Sequence, residues 1–95
     1  MSDALDTLQG PSIAQAAAAW TVLCVDDEPN ILAAMKRLFR GTGYRVLTAD
    51  GGAQAIKLFE QEAVHLIISD MRMPGMSGAE LLEQVRHRWP DTTRL

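Results

Sequence analysis

The sequence predicts an α/β domain, a doubly wound parallel sheet with helices on both faces. Three observations carry this. From Trp20 onward, short β-branched apolar runs alternate with longer amphipathic segments. That β-α-β-α-β-α order requires parallel strands joined by right-handed crossovers. Two of the apolar runs stop abruptly at acids, Asp26-Asp27 and Asp70, a pattern expected where strands open onto a site. The 95 residues, 47% hydrophobic with a formal net charge of −3, amount to one small globular domain. With 9 Lys plus Arg against 12 Asp plus Glu, no basic excess favours direct nucleic-acid binding. No apolar run approaches the roughly 20 residues that span a bilayer, so no membrane association is expected. The single cysteine, Cys24, excludes an internal disulfide, and the start lacks the pattern of a secretory signal. The expected setting is reducing and cytoplasmic.

Residues 1–20 are expected to form a mobile leader and residues 21–95 the domain. The leader mixes Ser2, Asp3, Gly10 and Pro11 with the short run Ala16 to Ala19, too short for a stable isolated helix. Thr21 to Val25 is the first strand. Pro29 then sets a helix start, where its missing N–H costs nothing. Ile31, Leu32, Met35, Leu38 and Phe39 share one face of that helix, which Gly41 and Gly43 stop. Tyr44 to Ala49, carrying Arg45, suits an edge strand. Asp50-Gly51-Gly52 leads into a second helix with Ala55, Ile56 and Phe59 inward. Val64 to Ile68 is nearly continuous apolar, as in a strand covered on both faces, and ends at Ser69-Asp70. After the loop Met71 to Met76, Ser77 and Glu80 form an S-x-x-E capping box. The helix it opens carries Leu81, Leu82 and Val85, and Pro90-Asp91 closes it. Thr92 to Leu95 reads as the approach to a further strand.

If the first and third strands are neighbours, giving the order 2-1-3, Asp26, Asp27 and Asp70 converge at the carboxyl end of the sheet. Two carboxylates about 4 Å apart repel by about 4 kcal/mol at an effective dielectric of 20. Such a site either raises a pKa or binds a hard cation, and Mg2+ suits oxygen ligands that also meet phosphate. With its charge neutralised, a carboxylate can act as a nucleophile and form an aspartyl phosphate.

Val25-Asp26-Asp27-Glu28-Pro29 and Ile68-Ser69-Asp70-Met71-Arg72-Met73-Pro74-Gly75-Met76-Ser77-Gly78 resemble the two signature stretches of bacterial response-regulator receiver domains. The resemblance covers residues 21–95 and implies the flavodoxin-like receiver fold of two-component signalling. It implies that Asp70 is the phosphoacceptor, served by a histidine kinase or phosphotransfer protein. It further implies that Asp26 and Asp27 hold Mg2+, Asp27 more directly, together with Asp70 and the backbone carbonyl of Arg72. The family has five strands and five helices, of which this chain is expected to supply three of each. The fourth and fifth strands, with the family's later Ser or Thr and Lys, are expected to be missing. The third strand would then be an exposed apolar edge, and self-association through that edge is expected.

Other chemistry-bearing residues take plainer roles. Glu28 is a helix-start acid, and Cys24 is a small buried hydrophobe. His65 and His87 lack metal-ligand spacing, Met71, Met73 and Met76 pack the loop, and Arg86 and Arg88 finish a helix beside its negative end. A phosphoacceptor module, rather than an enzyme, is the principal expectation. The alternative is a non-phosphorylated interaction or dimerisation module made from an incomplete receiver domain. A Mg2+-dependent phosphohydrolase is disfavoured, because the Asp-x-Asp arrangement of such enzymes is not seen.

Overall fold

A computed structural model describes residues 20–95, so residues 1–19 of the expected leader lie outside the described residues. Seven elements follow in order: β1 (Thr21–Val25), α1 (Pro29–Leu38), β2 (Arg45–Ala49), α2 (Gly52–Gln61), β3 (Leu66–Ser69), α3 (Gly78–Arg88) and β4 (Thr93–Arg94). The strands form one sheet in the order β2-β1-β3-β4, parallel throughout. A fourth strand is therefore present, contrary to the expected three-stranded sheet. It pairs Thr93 with Leu66 and Arg94 with Ile67. Two residues are too few to show a period-two pattern. β4 exists because its backbone finds partners: Thr93 N–H donates to the His65 carbonyl at 2.9 Å and Leu95 N–H to the Ile67 carbonyl at 2.9 Å.

Strand alternation divides the sheet into two faces. Leu47, Leu23 and Ile67 lie side by side on one of them. There Leu23, Val25 and Ile67 pack with Ala55 and Phe59 of α2 and with Leu81 and Val85 of α3, forming the buried core. Phe59 and Trp89 stack at 4.7 Å on its border. Val22 and Cys24 point to the other face, where α1 lies against β1. No residue of α1 is buried, and Leu38 is 76% exposed. The expected apolar stripe is real, but among the described residues a single helix covers this face and the flanks of its stripe stay open. Leu66 and Ile68 are accordingly only half-buried, not covered on both faces as a central parallel strand would be.

Boundaries moved at three places. Phe39 caps α1 instead of extending it, with its N–H on the Met35 carbonyl at 3.2 Å. Tyr44 precedes β2. β3 begins at Leu66, although the His65 backbone already joins both ladders through the Thr21 carbonyl and the Thr93 N–H. The buried Thr92 hydroxyl donates to the Val64 carbonyl at 2.7 Å, and the Thr21 N–H donates to His65 Nδ1 at 2.9 Å. Trp20 stacks on that imidazole at 5.4 Å and lends its carbonyl to the Arg45 N–H at 2.9 Å, so the ladder begins one residue before β1. Among the described residues, no helix is long and apolar enough to cross a membrane.

The start of α3 is closed by the capping box. Ser77 Oγ accepts from the Glu80 N–H at 3.1 Å, and Ser77 N–H donates to Glu80 Oε1 at 3.0 Å. The Ser77 backbone N–H, and then its hydroxyl bond, hold the Glu80 carboxyl below the usual carboxylate range. A carboxyl depressed in the folded state stabilises above its unfolded pKa, and that contribution disappears as pH falls through the folded value. Ser77→Ala should cost about 1 kcal/mol near neutral pH. Glu80→Gln should differ from the parent near neutrality and converge with it in acid below the carboxylate range, read from urea unfolding curves.

Candidate functional site at the carboxyl end of the sheet

β1 and β2 are in register through Val25↔Ala49, and β1 and β3 through Val25↔Ser69. All three strands thus end at one level, and the residues that follow begin their loops together. The Asp26 N–H donates to the Ala49 carbonyl at 3.1 Å, and the Asp70 N–H donates to the Val25 carbonyl at 2.9 Å. These two bonds extend the ladders one residue past the strands and anchor both aspartates by their backbones. Asp27 follows without such a tie and is exposed, whereas Asp26 and Asp70 are half-buried. One carboxylate oxygen from each of Asp26, Asp27 and Asp70 lies within 4.8 Å of the others.

Asp26 Oδ1 also accepts from the Glu28 N–H at 2.9 Å, orienting that carboxylate towards the start of α1. Glu28 itself is the exposed N-cap and stands outside the cluster. Pro29 removes a competing donor from the first turn of α1. Arg72 lies two residues beyond Asp70 and is exposed; its backbone N–H is 3.5 Å from Asp70 Oδ1, a long contact. The donor set is all hard oxygen, a chemistry that suits a small divalent cation.

The loop from β3 to α3 is tied down from both sides. Met73 is buried in the core, while Met71 is 55% exposed. Gly75 at φ 78° takes a left-handed conformation that suits glycine. Gly78 N–H donates to the Met71 carbonyl at 3.1 Å. A Cβ at Gly78 would fall on the Asp70 carbonyl oxygen and lie 2.7 Å from Met71 Cα. Gly78, which closes the second signature stretch but was given no role there, is thus a residue of the site; a glycine in the first helical position, just after a capping serine, was its signal. Gly52 is another, since a Cβ there would meet Met76 Sδ at 2.6 Å.

The plainer residues behave as their chemistry suggests. Cys24 is a free, buried thiol, and burial pushes its pKa up, away from the reactive thiolate. His65 is held by Thr21 and Trp20, far from the acids along the sheet. Arg86 and His87 share Glu83 on the surface of α3, and Arg88 joins Glu60 of α2 at 2.8 Å.

Residues 22–95 match the response regulator receiver domain family. The chain belongs to that family. The hydrogenase transcriptional regulatory protein HoxA of Cupriavidus necator is 41% identical over 75 residues, 79% of this chain. The matched segment spans only 15% of the length of HoxA. Among solved structures, the response regulator TrrA of Thermotoga maritima, in complex with Mg(2+)-BeF, superposes with a TM-score of 0.75 at 37% identity. That match covers 79% of this chain and 65% of TrrA. TrrA in complex with the histidine kinase ThkA gives a TM-score of 0.74, also at 37% identity, over 79% of this chain and 65% of that one. The receiver domain's flavodoxin-like α/β fold is shared with these structures.

Gly78→Ala should destabilise this receiver domain by about 1–3 kcal/mol, because overpacking against fixed backbone outweighs the better helix propensity of alanine. Gly51→Ala, where an added Cβ meets nothing within 4 Å, should be neutral or mildly stabilising by the same urea measurement.

Proposed function

We propose that Asp70 accepts a phosphoryl group from a histidine kinase or phosphotransfer protein, with Mg2+ held by Asp26, Asp27, Asp70 and the backbone carbonyl of Arg72. The observation that carries this reading is the gathering of three carboxylate oxygens within 4.8 Å at the ends of β1 and β3. TrrA supports it twice, by its Mg(2+)-BeF complex and by its complex with a histidine kinase. When bound, Mg2+ offsets the negative charge of the carboxylates and of the incoming phosphoryl oxygens.

The chain's own residues do the rest. Backbone bonds to Val25 and Ala49 hold Asp70 and Asp26 at fixed separation before a donor arrives, which is the positioning that phosphoryl transfer requires. A carboxylate oxygen of Asp70 bonds to phosphorus as the phosphorus–nitrogen bond of a phosphohistidine breaks, and the imidazole leaves with the electron pair. The product places about −1.5 to −2 charges where one carboxylate stood. That change bears on the loop carrying Met71 to Ser77, which the Gly78–Met71 bond and the capping box couple to α3. The role is that of an acceptor in cytoplasmic signalling, with no turnover of a free substrate.

Incubation with acetyl phosphate and Mg2+, followed by intact mass measurement, should give one phosphoryl adduct. Asp70→Ala should lose it, and Asp27→Ala or chelation of Mg2+ should diminish it strongly. An unmodified parent chain in the presence of Mg2+ overturns the reading, and repeated turnover of a phosphate ester would favour a hydrolase.

A second reading rests on β4. Its two residues are both exposed, and Leu95 beyond them is 67% exposed. We infer that the 95-residue polypeptide self-associates through this outer strand. Light scattering at micromolar concentration should give a mass above 10.4 kDa, and a stable monomer of that mass overturns the inference.

A further inference from the structure

The joint between β2 and α2 carries the dipeptide Asp50-Gly51, whose side-chain carboxylate is used by neither the fold nor the acidic cluster. Asp50 is exposed, and among the described residues its carboxylate takes part in no hydrogen bond or ion pair. Its own N–H is occupied, donating to Gln54 Oε1 at 2.7 Å. The Gly51 N–H, in contrast, joins no backbone hydrogen bond among the described residues. Gly51 is extended, with φ −176° and ψ 176°, and open space lies where its side chain would be. An aspartate followed by an unhindered, uncommitted glycine nitrogen is the arrangement in which main chain and side chain can cyclise.

We propose that Asp50 is a site of isoaspartate formation, and that this modification lengthens a joint on which the acidic end of the sheet rests. The Gly51 nitrogen gives its proton to water and bonds to Cγ of Asp50. The side-chain carbon–oxygen bond breaks, its oxygen leaves as water, and a five-membered succinimide results. Water then adds at the main-chain carbonyl carbon of Asp50. The bond from that carbon to the Gly51 nitrogen breaks, leaving a free carboxylate. One water leaves and one enters, so the mass is unchanged, but the backbone now runs through Cβ and Cγ and is one carbon longer.

The neighbours make that extra carbon consequential. Ala49, immediately before, is buried and its carbonyl receives the Asp26 N–H at 3.1 Å. Gly52, immediately after, is buried so tightly that a Cβ would lie 2.6 Å from Met76 Sδ. An added backbone atom next to Gly52 presses on the Gly52–Met76 contact, whose softer side is Met76. The modification therefore reaches the loop between β3 and α3.

The test ages the folded 95-residue chain at neutral pH and physiological temperature, beside Gly51→Ala and Asp50→Glu. Isoaspartate is read with a protein isoaspartyl methyltransferase and located by electron-transfer fragmentation of the peptide containing residue 50. The parent chain should accumulate it at Asp50 ahead of the exposed Asp27 and Asp91, and both variants should lose the signal. Absence of isoaspartate at position 50 in the folded parent, or equal accumulation in Gly51→Ala, overturns the proposal. Asp50→Glu keeps the glycine and the charge but needs a six-membered ring, so it decides the matter should Gly51→Ala fold poorly. The aged fraction should also show a shifted Met76 methyl resonance by NMR, and an unmoved resonance overturns the link to the β3–α3 loop. Neither readout depends on phosphorylation.

Discussion

The parallel pairing of β1 with β3 is the constraint from which the rest of the structure follows. These strands are separated by about forty residues of chain, yet Val25 stands level with Ser69 and its carbonyl takes the Asp70 N–H. A slip of one residue in that register would turn Ile67 out of the core and carry Asp70 away from Asp26 and Asp27. Burial on one face therefore enforces geometry at the strand ends. The apolar residues Leu23, Val25 and Ile67 pack under α2 and α3, and the acids follow because they sit next in sequence.

The site is accordingly rigid where it is backed by core and yielding where it is not. Asp26 and Asp70 hang from ladder hydrogen bonds, whereas Asp27 projects from the turn into α1. Beyond Asp70, the loop is pinned by the buried Met73 and closed by the Gly78 N–H on the Met71 carbonyl. The Met71 side chain itself stays exposed. The opposite face of the sheet contributes less, since α1 buries no residue completely.

Much of this was legible in the sequence because local chemistry and fold agree. Pro29, the Gly41 and Gly43 stop and the Ser77–Glu80 box each mark a boundary by a mechanism that works within one turn of chain. What escaped depends on partners distant in sequence. β4 has no pattern of its own and is defined by the carbonyls of His65 and Ile67. Gly78 looks like a poor helix residue until the Asp70 carbonyl is seen lying against it. His65 reads as an isolated histidine, and only folding brings it to the Thr21 N–H and the Trp20 ring.

The two signature stretches carried the resemblance to receiver domains, and by itself the sequence determined the alternation of strands and helices and the acids at the strand ends. Those are properties of period, capping and composition, which neighbouring residues express without help. Tertiary structure alone decided that three carboxylate oxygens come within 4.8 Å, that a two-residue fourth strand forms, and that α1 lies largely open. Distances between segments far apart in the chain are set by how side chains share a core, and no local pattern encodes them.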